Sequence, residues 1–181
     1  MADTQRSAAE LIALLADNST GDISAQDLRD LVETLIPDQG AIFIDTTATA
    51  PTAITTPGTF ELLAGGTLEK SNGRNFTMDQ DGRLTYEGTA TRRCIVWVSL
   101  SYTIDQNNHE TRWRIHKTGV HDPATEIIRE VGTGTVPVNI TLNGHITIEP
   151  GDYIEVVVTD VTGTANITVE RMQMGVLAVA I

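Results

Sequence analysis

The sequence predicts an all-β antiparallel sandwich preceded by a short pair of helices, and three observations carry that prediction. From residue 41 onward apolar residues recur at alternate positions, with turn-forming residues at short intervals. Threonine takes about one position in seven and glycine is frequent, a composition suited to pleated, half-buried strands joined by tight turns. Residues 1–40 differ in kind. They hold leucine stripes at helical spacing and eight acids against two arginines, so this short segment carries half of the net charge of −12. The chain therefore divides near Pro37-Asp38-Gln39-Gly40, into a helical segment 1–40 and a sandwich domain 41–181. A length of 181 residues fits one domain with a small appendage.

Taken in order, Ser7-Ala8-Ala9-Glu10 has the form of a capping box and is followed by Leu11, Ile12, Leu14 and Leu15. Asp17-Asn18-Ser19-Thr20-Gly21 breaks that helix with turn-forming residues. Ser24 opens the second helix with Asp27 at its third position, and Ile23 with Leu28 forms the pair expected of a hydrophobic staple. Leu28, Leu31, Val32, Leu35 and Ile36 then make a 3.6-period stripe that Pro37 stops. Forty residues cannot enclose a core of their own. The stripes must therefore be covered by the rest of the chain or its oligomer, or serve as an anchor on a larger assembly.

The strands follow. Ala41-Ile42-Phe43-Ile44 is one, and Thr46 to Pro57 reads as extended chain or an edge strand. Phe76-Thr77-Met78 and Leu84-Thr85-Tyr86 flank Asp79-Gln80-Asp81-Gly82, a hairpin loop with glycine where positive φ is expected. Cys94, Val96, Val98, Leu100, Tyr102 and Ile104 line one face of a long strand whose other face begins with Ile95 and Trp97 and then turns polar. Thr111 to His116 alternates, with Trp113 and Ile115 inward. Val136, Val138, Ile140 and Leu142 alternate likewise, and Ile154, Val156 and Val158 follow the turn Glu149-Pro150-Gly151-Asp152. Many short strands over about 140 residues fit a β-sandwich or jelly roll. The last strand, Ile167 to Ile181, is apolar on both faces beyond Gly175: Leu177, Val179 and Ile181 alternate with Val176, Ala178 and Ala180. No register hides both sets in one layer, so an oligomer interface is expected there, with Trp97 as its candidate aromatic.

Composition excludes several classes. Acids number 24 against 12 lysines and arginines, with a pI near 4.5, so a nucleic-acid partner is not expected. No run of about 18 apolar residues is present to span a bilayer as a helix, and Met1 to Arg6 lacks the basic region and apolar core of a secretory signal. The single cysteine, Cys94, cannot form an internal disulfide and lies on an apolar strand face, where a thiol is inert packing. His109, His116, His121 and His145 show no metal-ligand spacing and are expected to face solvent, His109 in a loop. Asp79-x-Asp81-Gly82 resembles the front of a calcium loop but Ala90 stands where the bidentate glutamate belongs. Arg92-Arg93 and Arg112 with Arg114 form either a basic patch or ion pairs with neighbouring acids. No nucleophile elbow or phosphate loop occurs, and no cofactor or catalytic residue is expected.

A resemblance adds to this reading. Asp81-Gly82-Arg83-Leu84-Thr85-Tyr86-Glu87-Gly88, with the strand Cys94–Ile104 after it, resembles the middle of a tumour-necrosis-factor-like (complement-type) jelly roll from phages. Ile146-Thr147-Ile148-Glu149-Pro150-Gly151-Asp152-Tyr153-Ile154-Glu155-Val156 resembles that fold's step into its penultimate strand. Asp17 to Asp30 is similar to a segment recurring near the start of phage virion proteins. The resemblance implies a homotrimer on the virion surface, assembled in the cytoplasm of a bacterial host. No shaft of repeats precedes the head, which favours a compact capsid decoration (cement or head-fibre) protein over a long tail fibre. Such a protein would hold the major capsid protein or another virion protein through Leu11, Leu15, Leu28, Leu31, Val32 and Leu35. Its trimer interface would use Trp97, Leu177, Val179 and Ile181. The alternative is a tail-fibre or receptor-binding protein contacting a host surface protein or glycan.

Overall fold

The computed structural model describes residues 6–15, 23–44, 50–64, 69–70, 73–78, 82–121, 123–133 and 135–181. Two helices come first, α1 (Ala8–Leu15) and α2 (Ala25–Leu35). Both begin as expected. Ser24 and Asp27 form a reciprocal capping box on α2, and Ser7 with Glu10 makes the same exchange on α1. These serine contacts hold the carboxyls of Glu10 and Asp27 below their ordinary values. The turn expected over Asp17–Gly21, the acids Asp79 and Asp81 and the side chain of Leu15 lie outside the described residues.

The strands are β1 (Asp38–Ile44), β2 (Glu61–Leu62), β3 (Glu69–Lys70), β4 (Phe76–Met78), β5 (Leu84–Tyr86), β6 (Arg92–Ile104), β7 (His109–Lys117), β8 (Val120–His121), β9 (Ile127–Val131), β10 (Val138–Ile148), β11 (Tyr153–Asp160) and β12 (Ile167–Ala180). One sheet has the order β10-β6-β12-β1-β3. The second runs β4-β5-β11-β7-β8, with β2 also on β11 and β9 also on β7. Every pairing is antiparallel, and consecutive long strands such as β6 and β7 lie in opposite sheets, so the chain winds across the sandwich as a jelly roll. The first strand starts at Asp38, three residues before the expected Ala41, because Asp38 pairs with Ala178 of β12. Of the stretch expected to be extended, Thr46 to Thr49 lie outside the described residues, and Thr52 bridges Ile167. Gly82 takes the positive φ (+81°) expected of its turn.

Alternation decides which side chains fill the space between the sheets. Cys94, Val96, Val98, Leu100, Tyr102 and Ile104 of β6 are all buried, facing Trp113 and Ile115 of β7 and Ile154, Val156 and Val158 of β11. The rings of Tyr102 and Trp113 lie 4.7 Å apart, and both polar ends reach Thr111 Oγ1, at 2.6 and 3.1 Å, so neither is buried unsatisfied. In β12 a register shift between Val169 and Arg171 resets the alternation, burying Ile167 and Val169 before it and Met172, Met174, Val176 and Ala178 after it. Burial also pushes the Cys94 thiol up to about 12, as an inert packing residue requires.

The histidines depart from expectation. His109 opens β7 rather than sitting in a loop and is buried, its Nδ1 2.6 Å from Asp160 Oδ2. Asp160 also accepts from the amides of Thr162 and Ala165, so the pair closes the turn after β11. His116 and His121 are half-buried with ring centroids 6.0 Å apart, and of the four only His145 is exposed. Asp160 stands 51 residues from His109, which is why local sequence points to a solvated loop.

Candidate assembly surface

The two sheets finish their outer faces differently. In the β10-β6-β12-β1 sheet the strand registers align the outward residues in rows across the strands. One row is His145–Ile95–Leu177–Gln39, the next Asn143–Trp97–Gly175–Ala41, and the next Thr141–Ser99–Gln173–Phe43. Thr147, Arg93 and Val179 extend the pattern toward the chain end. Ile95, Trp97, Val179 and Ile181 are exposed and Leu177 is half-buried. From Arg93 to Ser101, Arg171 to Val179, Gln39 to Phe43 and Asn139 to Thr147, no outward residue is a carboxylate, and two are arginines. On a chain of net charge −12 that is an unusual stretch of surface. Beyond Trp97 it turns polar, where Phe43, Ser99, Ser101, Asn139 and Arg171 line a shallow depression of about 520 Å³.

The other sheet carries ion pairs. Arg112 reaches Glu110 at 3.0 Å, Arg114 pairs with Glu126, Arg83 reaches Glu155 at 2.8 Å and Lys117 reaches Asp152 at 3.3 Å. The Arg114 guanidinium also lies 3.9 Å from the centre of the Phe60 ring. Arg112 and Arg114 therefore pair with neighbouring acids and form no basic patch. His116 sits within this network. Burial lowers its pKa below 6.5, Glu155 pulls it back up, and His121 and Arg114 push it further down.

Helix α2 is mounted with its polar side inward. Asp30 and Thr34 are 1% and 2% exposed, whereas Leu28, Val32 and Leu35 are 52%, 56% and 66% exposed. Arginines fix this orientation. Arg6 binds Asp30 at 2.7 Å and donates its backbone N–H to Thr34 Oγ1, while Arg74 donates to the Ile36 carbonyl and pairs with Glu33. Arg92, fully buried, donates to the Thr34 carbonyl and to Asp38 Oδ2, each at 3.2 Å. Asp38 also accepts from Asn75 Nδ2 and from the Tyr86 hydroxyl, whose pKa burial and this carboxylate push up to about 12. A buried charge without its partner is costly, so this network holds the helix firmly to the sandwich.

No family model matches the chain, and no curated protein matches it. Among solved structures it is similar to Eiger TNF from S. frugiperda, with TM-score 0.55 and 13% identity, over 80% of this chain and 94% of that one. Murine APRIL matches with TM-score 0.45 and 11% identity, over 74% of this chain and 98% of that one. The fold is a tumour-necrosis-factor-like jelly roll.

On this jelly roll the expected interface residues Trp97, Leu177 and Val179 share one outer face, and Ile181 follows at the end of β12. The expected anchor residues separate. Leu28, Val32 and Leu35 are exposed, Leu31 is half-buried, and Leu11 is buried and so not available to a partner. Residues 36–38 run directly from α2 into β1, and Val179 pairs with Arg93 beside the buried Arg92. The apolar half of the sheet face and the helix stripe therefore lie at the same end of the jelly roll. Sequence reasoning offered an ion pair at Arg92, which the structure makes, but did not find its partner Asp38 and gave no role to Gly175. The first two are separated by 54 residues, and the role of the third depends on strand register. Among the described residues no group of three or more metal-ligating side chains converges.

Proposed function

We propose that this protein is a non-enzymatic bacteriophage structural protein, a homotrimer of jelly rolls that decorates the capsid and attaches through α2. The observation that carries the reading is the mounting of α2. A helix whose polar side is bound to its own domain and whose apolar side faces outward is a docking element, not a core element. The resemblance of Asp17–Asp30 to the starts of phage virion proteins supports a virion as the site of docking. Three stripes on one trimer act together, so a weak single contact gives firm attachment.

The part of this face between Arg93 and Ser101 of β6 and Arg171 and Val179 of β12, where no outward residue is a carboxylate, supports self-association. Copies of a chain with net charge −12 repel one another, and approach is least unfavourable where no carboxylate stands. A closed ring of three also needs a second, different patch on each copy. The β9 edge supplies one: Ile127, Ile128 and, just before β10, Val136 are exposed, beside Arg129 and Glu130, whose charges offset each other.

The test is to add full-length protein carrying Leu28→Glu, Val32→Glu and Leu35→Glu to phage particles that lack the protein. The reading expects a trimer that no longer attaches, while unaltered protein attaches around the whole head. Attachment of the triple variant as tight as that of unaltered protein would overturn the anchor, and attachment only at a tail tip would favour host-receptor binding instead.

A further inference from the structure

We infer that Gly175 and Trp97 are a matched pair that shapes the self-association face, with Gly175 as the notch that holds the Trp97 indole flat on the sheet. The inference rests on the self-association reading above and names what gives that face its shape. Gly175 pairs directly with Trp97 between β12 and β6, and on its other side it pairs with Ala41 of β1. Two small residues in a row leave a trough beside the tryptophan. A Cβ placed on Gly175 would lie 2.2 Å from Trp97 Cζ2, 2.4 Å from Cε2 and 2.9 Å from Nε1, so the ring occupies the space of the missing side chain. Gly175 is buried on an otherwise outward position, and the ring above it is what covers it. Trp97 itself stays 39% exposed, with its free side turned outward among Ile95, Leu177 and Val179.

An indole held this way is a broad apolar platform whose rotamer is already fixed before a second copy arrives. Association then loses little side-chain freedom, and aromatic residues of this kind carry a large share of interface energy. With any side chain at 175 the ring must swing away from the sheet and stand up from the face, which keeps the second copy at a distance. The competing role is purely structural: an aromatic ring covering a strand glycine stabilises the sheet without regard to a partner. That role would change melting and leave association untouched.

The experiment compares full-length Gly175→Ala, Trp97→Ala and the double variant with the unaltered chain. Sedimentation equilibrium reads association, thermal melting reads the fold, and acrylamide quenching reports Trp97, since Trp113 is fully buried. Gly175→Ala is expected to weaken association roughly tenfold or more and to increase quenching. In the Trp97→Ala background, where no ring can clash, the alanine at 175 is expected to have no further effect on association. If Gly175→Ala associates as tightly as the unaltered chain, or weakens the Trp97→Ala variant as much, the inference is wrong while the association reading stands. An unaltered chain that stays monomeric overturns both.

Discussion

The outer faces of the two sheets are made by one chain under the same rules, yet only one is finished for water. On the β11-β7 face, arginines and carboxylates pair across strands and Arg114 stacks on Phe60. On the β6-β12 face the same alternation puts Ile95, Trp97, Leu177 and Val179 outward with no carboxylate among them. Both sheets cover the same core, so burial of the inner side chains does not explain the difference between the outer faces. The paired face satisfies its charges within one chain, whereas the apolar face leaves Ile95, Trp97 and Val179 exposed, and that is the face to which the proposed trimer contact is assigned. Helix α2 repeats the contrast on a smaller scale, with charges spent inward on Arg6, Arg74 and Arg92 and leucines left outward.

The contrast can be broken at several points. The largest effect is expected beneath α2. Arg92→Ala takes the nearest cation from buried Asp38, leaving it Asn75, Tyr86 and, at 4.0 Å, Arg74, and should destabilise the fold by about 3–5 kcal/mol, measured by chemical denaturation. A loss below 1 kcal/mol would mean that the helix is not held by this pair. Next, Trp97→Glu places a carboxylate among the outward residues of β6 and β12, where none stands from Arg93 to Ser101 or from Arg171 to Val179. It should abolish association while the melting of the jelly roll changes much less, and an intact trimer with native melting would contradict the placement of the interface. The matching change on the other face, Arg114→Ala, should cost about 1 kcal/mol or less and leave association alone; altered assembly there would erase the distinction between the faces. The smallest effect is expected at His116. Its folded pKa is lowered, so its neutral form contributes fully above 6.5 and that contribution is lost as pH falls below this value through the lowered one. The melting temperature of His116→Gln should therefore fall less on mild acidification than that of the unaltered chain. Equal slopes would show that His116 is not among the groups that titrate against the fold.

How far these features could be read in advance depends on their range along the chain. The period-two pattern from Cys94 to Ile104 is local, and it marks both the buried side of β6 and the outward position of Trp97. The two-faced end of β12 is local as well. Helical periodicity likewise reveals a stripe on α2, but not which way the stripe points. That direction is set by Arg92, 58 residues from the Thr34 carbonyl it holds, and by Arg74, 41 residues from Glu33. His109 was legible only as a polar residue near a turn, because the Asp160 that makes its burial tolerable comes from another strand. Gly175 under Trp97 needs the β6–β12 register, which no single segment contains.

The oligomeric state in dilute solution tests the central contrast most directly. Mass photometry of the full-length chain, 19.5 kDa per copy, should give a single species of three copies. A monomer that keeps its β-sheet spectrum at micromolar concentration would contradict the claim that the β6-β12 face is built for another copy of this chain.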